Sequence, residues 1–159
     1  MSTETVKTVF DAAAFTYDRA RRQLIPCFDE FYGTVLELLP QDVSAPRRLL
    51  DLGAGTGLLS LLLARQFPQA QLTLLDLSDS MLAKARERLA GLAGRCDFIV
   101  ADYTQALPGE FEGVVSALSI HHLDDAHKLA LFHRIYQALT VGGVGSVLKV
   151  LLSHKKRLI

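Results

Sequence analysis

The chain lacks net charge: 17 Lys and Arg balance 17 Asp and Glu over 159 residues. No overall basic field advertises nucleic acid or an anionic membrane, which disfavours such partners without excluding them. Cysteine is scarce too. Cys27 and Cys96 are the only two; they form no metal-ligand spacing and fit a reducing cytoplasm. Cys96 opens an apolar run and reads as core. No apolar stretch reaches the roughly 18 residues that suggest a membrane span. Glu4, Asp11 and Asp18 are spread through the N-terminal segment, which speaks against a secretory leader. No low-complexity segment is present, and half of the residues are hydrophobic. That length and composition suit one domain with a sizeable core.

What is present concentrates in Leu49-Leu50-Asp51-Leu52-Gly53-Ala54-Gly55-Thr56-Gly57-Leu58. An apolar strand carries an acid, a loop follows with glycine at every second position, and an apolar helix begins. Such glycines open backbone angles closed to residues with a Cβ and let a ligand approach the main chain. The helix behind the loop offers unpaired N–H groups and a partial positive charge. Two ligand classes are disfavoured by what the loop lacks. No lysine follows Gly57, so a phosphate loop is excluded. The third glycine of a dinucleotide fingerprint would fall at Leu58, so that match is poor.

Periodicity organises the rest. Val6, Val9, Phe10, Ala13 and Tyr17 lie at helical spacing, and Pro26 opens a second pattern with Phe28, Phe31, Tyr32, Val35, Leu38 and Leu39 apolar. Residues 40–46 read as a linker. Strands are expected at Leu49–Leu52, Leu72–Leu75, Asp97–Ala101, Gly113–Leu118 and Gly145–Leu152. Helices are expected at Leu58–Phe67, from Ser78 or Asp79 to about Leu92, and from Asp124 or Asp125 through Leu139. The last should turn Leu129, Phe132, Tyr136 and Leu139 inward. Short apolar strands alternating with helices predict an α/β fold: a doubly wound, Rossmann-like, mostly parallel sheet of about five strands with helices on both faces. Ligands of such sheets bind beyond the carboxyl ends of the strands. Asp51, Asp76 and Asp102 all fall at those ends, although acids also end strands and cap helices without any ligand.

The pattern D-x-G-x-G-x-G at Asp51–Gly57 resembles the first motif of the class I S-adenosylmethionine-dependent methyltransferases. The resemblance extends from about Phe10 to Leu148. It implies that Gly53, Ala54, Gly55 and Gly57 approach the cofactor. It also implies that Asp76, roughly 20 residues on, accepts the ribose hydroxyls. Leu77 and Met81 would flank adenine, Met81 being equally readable as a core residue. Phe98–Tyr103 resembles the third motif, with Asp102 on the adenine amino group and Tyr103 beside the ring. Val114–Leu123 resembles the fourth, with Ala117, Leu118 and Ser119 lining the methionine end. Leu139–Gly143 is similar to a family turn, with Val141 in place of proline. The N-terminal segment resembles the lid helices of small methyltransferases related to the ubiquinone and tRNA wobble-uridine groups. Tyr17 and Arg22 would cover the methionine end, unless the arginines are a solvated face.

The reaction so implied is methyl transfer from S-adenosylmethionine to a small molecule, leaving S-adenosylhomocysteine. His121 and His122 follow strand four on the rim where an acceptor should sit. Either can serve as general base, or the pair simply opens the next loop. No third ligand near them suggests a metal. A cofactor-binding but catalytically silent module and a tRNA-modifying enzyme are the alternatives; zero net charge disfavours RNA. The division expected is a lid over 1–45, a core over 46–152 and a tail over 153–159. The last two strands of the family fold have no counterpart in the sequence. Strand five, with Val147, Leu148, Val150 and Leu151, is therefore expected to be an apolar edge that recruits a second copy, as the lid helices also could.

Overall fold

Leu49, Leu50 and Leu52 are fully buried, as a strand with both faces covered requires. They form β1 (Arg48–Leu52) at the middle of the sheet. The computed structural model describes residues 8, 28–39, 42 and 44–148. Before β1 lies α1 (Phe28–Leu38). After it come α2 (Leu58–Gln66), β2 (Gln71–Asp76), α3 (Asp79–Arg88) and a 3₁₀ segment, Ala90–Arg95. β3 (Cys96–Val100), β4 (Phe111–Ala117), α4 (Asp125–Ala138) and β5 (Leu139–Leu148) complete it. Of the expected helix of residues 6–17, only residue 8 is among the described residues.

All described pairings are parallel, in the order β3-β2-β1-β4-β5. The chain winds outward from β1 to β3, then returns across β1 to reach β4. The strand order therefore switches between β1 and β4, and their carboxyl ends frame the crevice that such sheets use for ligands. Two cores flank the sheet. On one face Tyr32, Val35 and Leu39 join Leu59, Leu63, Leu82, Ala85 and the β-strand residues Leu49, Leu72 and Leu74. On the other, Leu131, Ile135 and Ala138 pack with Leu50, Leu52, Leu75 and Val114.

Two boundaries and one helix face depart most from the sequence reading. α3 stops at Arg88 rather than Leu92, and Gly91 and Gly94 lie in the 3₁₀ segment instead; two glycines weaken an α-helix by about 1 kcal/mol each. β5 begins at Leu139, because the expected turn is absorbed as a bulge. Phe111 pairs with Leu139, but Gly113 pairs with Val144, and Gly142 takes φ +81 within the extra length. The larger correction concerns the inner face of α4. Leu131, Ile135 and Ala138 are buried, whereas Leu129, Phe132 and Tyr136 are 73%, 44% and 77% exposed. Both stripes have helical spacing. Small residues decide between them: Ala138 on the helix and Gly145 on β5, where a Cβ would sit 3.4 Å from Ile135, let the helix settle on that side. Leu139, also expected inward, packs partly buried against this core.

Candidate functional site

The glycine loop lies over the ends of β1 and β2. The N–H groups of Gly53 and Ala54 both donate to the Leu75 carbonyl, at 2.8 and 3.2 Å. Gly53, Gly55 and Gly57 have φ of +67, +55 and +75, the left-handed region that favours glycine. Their surroundings differ. A Cβ on Gly53 would lie 2.3 Å from both Cβ and Oγ of Ser119, and one on Gly57 would lie 2.9 Å from the Ala85 Cβ. A Cβ on Gly55 would meet nothing within 4 Å. The outer two glycines thus serve close approach of β4 and α3 to the loop. Gly55 is the position of the three where space remains for a ligand.

Asp76 holds this arrangement at the end of β2. Its Oδ2 accepts from the Gly55 N–H at 2.8 Å and its Oδ1 from the Ser78 N–H at 2.9 Å. Ser78 in turn caps α3, accepting from the Met81 N–H. A carboxylate is thereby fixed beside the one loop glycine of the three with open space. Leu77, next in sequence, is half-buried. Met81 is 1% exposed, which fits its core alternative. Asp51 lies a layer deeper: it is 3% exposed and accepts from the Ser60 hydroxyl at 2.7 Å. Ala54 is buried.

The ends of β3 and β4 complete the rim. Asp102 accepts from both the N–H and the hydroxyl of Thr104, at 2.8 and 2.7 Å, which turns the chain after β3. Tyr103 crosses toward β4 and donates from its hydroxyl to the Ser119 carbonyl at 3.2 Å. Burial raises the pKa of this phenol, so it remains a donor at neutral pH. Ala117 is buried, and Leu118 follows it with φ +64. It is the one non-glycine residue with positive φ among the described residues. A left-handed leucine costs roughly 1–2 kcal/mol, so neighbouring contacts must hold it. Ile120–His122 then forms a short 3₁₀ turn in which the two histidine rings lie 3.9 Å apart. Both histidines are exposed, yet partial desolvation pulls the His122 pKa below the ordinary value. Tyr17 and Arg22 fall outside the described residues. Among the described residues no group of three or more His, Cys, Asp or Glu could hold a metal ion.

Several residues at this site were not singled out in the sequence. Ser60 anchors Asp51, and its signal was a lone polar residue inside a run of leucines. Ser116, alone and polar in an apolar strand, donates to the Leu52 carbonyl at 2.8 Å. Arg88 donates to both the carbonyl and the hydroxyl of Thr56, the latter at 2.9 Å. Nothing local in the sequence marks that arginine.

A methyltransferase-domain family matches residues 49–143, more than half of the chain. The chain belongs to this family, the class I S-adenosylmethionine-dependent methyltransferases. Among curated relatives, the malonyl-(acyl-carrier protein) O-methyltransferase of Laribacter hongkongensis is 38% identical over 82% of this chain and 46% of its own length. The ubiquinone/menaquinone biosynthesis C-methyltransferase UbiE of Desulfotalea psychrophila is 32% identical over 87% of this chain and 55% of its own. The chain thus spans about half the length of such relatives. A solved DhpI-SAM-HEP complex superposes with a TM-score of 0.72 at 26% identity, covering 89% of this chain and 63% of that one. Two features of this chain fit the family's cofactor. There is open space at the Gly55 backbone, and a carboxylate suited to a ribose diol lies on the adjacent strand end.

Proposed function

We propose that this chain is the catalytic domain of an S-adenosylmethionine-dependent methyltransferase acting on a small-molecule acceptor. The observation that carries the reading is the pairing of Gly55 and Asp76 across the carboxyl ends of β1 and β2. The cofactor supplies a methyl group already activated on a sulfonium. Gly53, Ala54, Gly55 and Gly57 would bring backbone to it, with Asp51 supporting the loop from below. Asp76 would accept the ribose hydroxyls. Leu77, Asp102 and Tyr103 would form the adenine wall, and Met81 would back it from the core. Ala117 and Leu118 would line the methionine end, and Tyr17 and Arg22 of a lid over residues 1–45 would cover it. The protein's task is to hold acceptor, methyl carbon and sulfur in line and to keep water away.

The need for a base depends on the acceptor. Relatives are named for both kinds of acceptor: malonyl-(acyl-carrier protein) and trans-aconitate carry carboxylates, whereas 3-hydroxy-5-methyl-1-naphthoate is named for transfer to its 3-oxygen, a phenol. A carboxylate arrives deprotonated and needs no base, whereas a phenol or alcohol does. His121 or His122 would remove that proton. Companion proposals are a cytoplasmic location and a homodimer through the outer edge of β5 or the lid helices. A strictly monomeric species in dilute light scattering would rule out the dimer for this chain.

Calorimetric titration with S-adenosylhomocysteine and with NAD tests the reading directly. Saturable binding of the first alone is expected. Asp76→Asn should weaken it roughly 10- to 100-fold, since a hydrogen bond to a charged group contributes about 1.5–3 kcal/mol. Binding of NAD alone would overturn the proposal. Cofactor binding without turnover on any carboxylate, phenol or quinol acceptor would instead indicate a silent binding module.

A further inference from the structure

The left-handed Leu118 sits one residue beyond the last paired residue of β4, Ala117, at the switch point. Three hydroxyl donors converge on its two flanks. Ser116 and Ser119 both donate to the Leu52 carbonyl, at 2.8 and 3.0 Å, and their hydroxyls lie 2.9 Å apart. The Tyr103 hydroxyl donates to the Ser119 carbonyl at 3.2 Å. Ser119 also fills the space that a side chain at position 53 would need. The brace therefore ties together the ends of β1, β3 and β4 and the first glycine of the loop. Backbone held in a sparsely populated region persists only where its surroundings over-determine it, and such positions cluster at ligand clamps.

We propose that Tyr103, Ser116 and Ser119 are positioning residues that lock the Leu118 turn and so set the shape of the methionine end of the cofactor cleft. The proposal rests on the methyltransferase reading above. Tyr103 then has a function separate from its ring: its hydroxyl acts through the Ser119 carbonyl on the turn. The brace is built before a ligand arrives, so its loss is felt in affinity rather than in the chemical step.

The test compares wild type, Tyr103→Phe, Leu118→Gly and the double variant Tyr103→Phe/Leu118→Gly by titration with S-adenosylhomocysteine. Tyr103→Phe keeps the ring and removes one hydroxyl; affinity should fall three- to tenfold. KM for the methyl donor should rise in step, with kcat unchanged. Glycine adopts the left-handed angle without strain, so in the Leu118→Gly background the same deletion should change affinity less than twofold. Wild-type affinity in Tyr103→Phe would overturn the proposal. An equal loss in both backgrounds would also overturn it, because the hydroxyl would then act on the ligand directly. Should Leu118→Gly not fold, Ser119→Ala replaces it as a second cut in the brace. The Tyr103→Phe loss should then shrink in the Ser119→Ala background, and full additivity would overturn the proposal. Wild-type protein that does not bind the ligand would overturn the methyltransferase reading, and the brace's purpose with it, which is a different result from normal binding with an inert brace.

Discussion

At the residue scale, three glycines that look alike in the sequence divide by what surrounds them. Gly53 and Gly57 have no room for a Cβ, whereas Gly55 has room and an N–H fixed on Asp76. Gly53→Ala should therefore cost stability. Overpacking costs about 1–3 kcal/mol, and the left-handed alanine adds roughly 1–2 kcal/mol. Gly55→Ala should bear only the second penalty yet weaken S-adenosylhomocysteine binding by about tenfold, or roughly 1.4 kcal/mol. Chemical denaturation and calorimetry on the same two variants separate the effects; equal stability losses would contradict the assignment. His122 gives a second contrast. Its folded pKa lies below the unfolded value of about 6.5. The unfolded chain therefore binds more protons as pH falls through that range. The His122 contribution is fully present above about pH 6.5 and is lost as pH drops through the lowered folded pKa. His122→Ala should flatten this acid limb in a pH series of denaturation midpoints. If His122 is also the base, turnover on a phenolic acceptor should collapse, while a carboxylate acceptor is spared.

At the element scale, α3 works as a splint on the glycine loop. Its first turn is capped by Ser78 beside Asp76, Ala85 meets Gly57, and Arg88 grips Thr56 near its end. Arg88 is half-buried, so Arg88→Met should fold. It should weaken cofactor affinity about three- to tenfold, equivalent to roughly 0.7–1.4 kcal/mol, with little effect on kcat; unaltered affinity would show that the loop holds itself. The splint was only partly legible in the sequence. The serine cap and the period of Met81, Leu82 and Ala85 mark the helix, but the Arg88–Thr56 contact spans 32 positions and leaves no local pattern. α4 shows the same limit differently. Its caps and length were readable, but two apolar stripes competed, and only packing of Ala138 and Ile135 against β5 selects one. Ile135→Ala should therefore cost about 2–5 kcal/mol. Leu129→Gln should stay within about 0.5 kcal/mol of wild type. Reversed effects in denaturant melts would restore the original inner face.

At the scale of the whole molecule, parallel strands and acids at strand ends were legible, whereas the strand order that puts the switch point between β1 and β4 comes from the structure. The legible features follow from alternation of apolar runs, which depends on nearest neighbours in sequence. What the strand ends do with one another was not legible. The Tyr103–Ser119 bond and the shared Leu52 carbonyl arise only when the sheet closes. Charge is a property of the whole chain and makes its own prediction. With 17 residues of each sign, the chain has no net charge to steer a polyanion from long range. A single-stranded RNA substrate would show affinity falling with salt at a slope of about 0.7 per phosphate neutralised. A small ligand held by Asp76 and loop backbone makes local contacts that salt screens weakly. Affinity for S-adenosylhomocysteine and KM for a small acceptor should therefore change less than about twofold between 50 and 400 mM salt, the range over which phosphate contacts would weaken steeply. Steeply salt-dependent retention of tRNA over that range would shift the acceptor from small molecule to nucleic acid and leave the cofactor site as described.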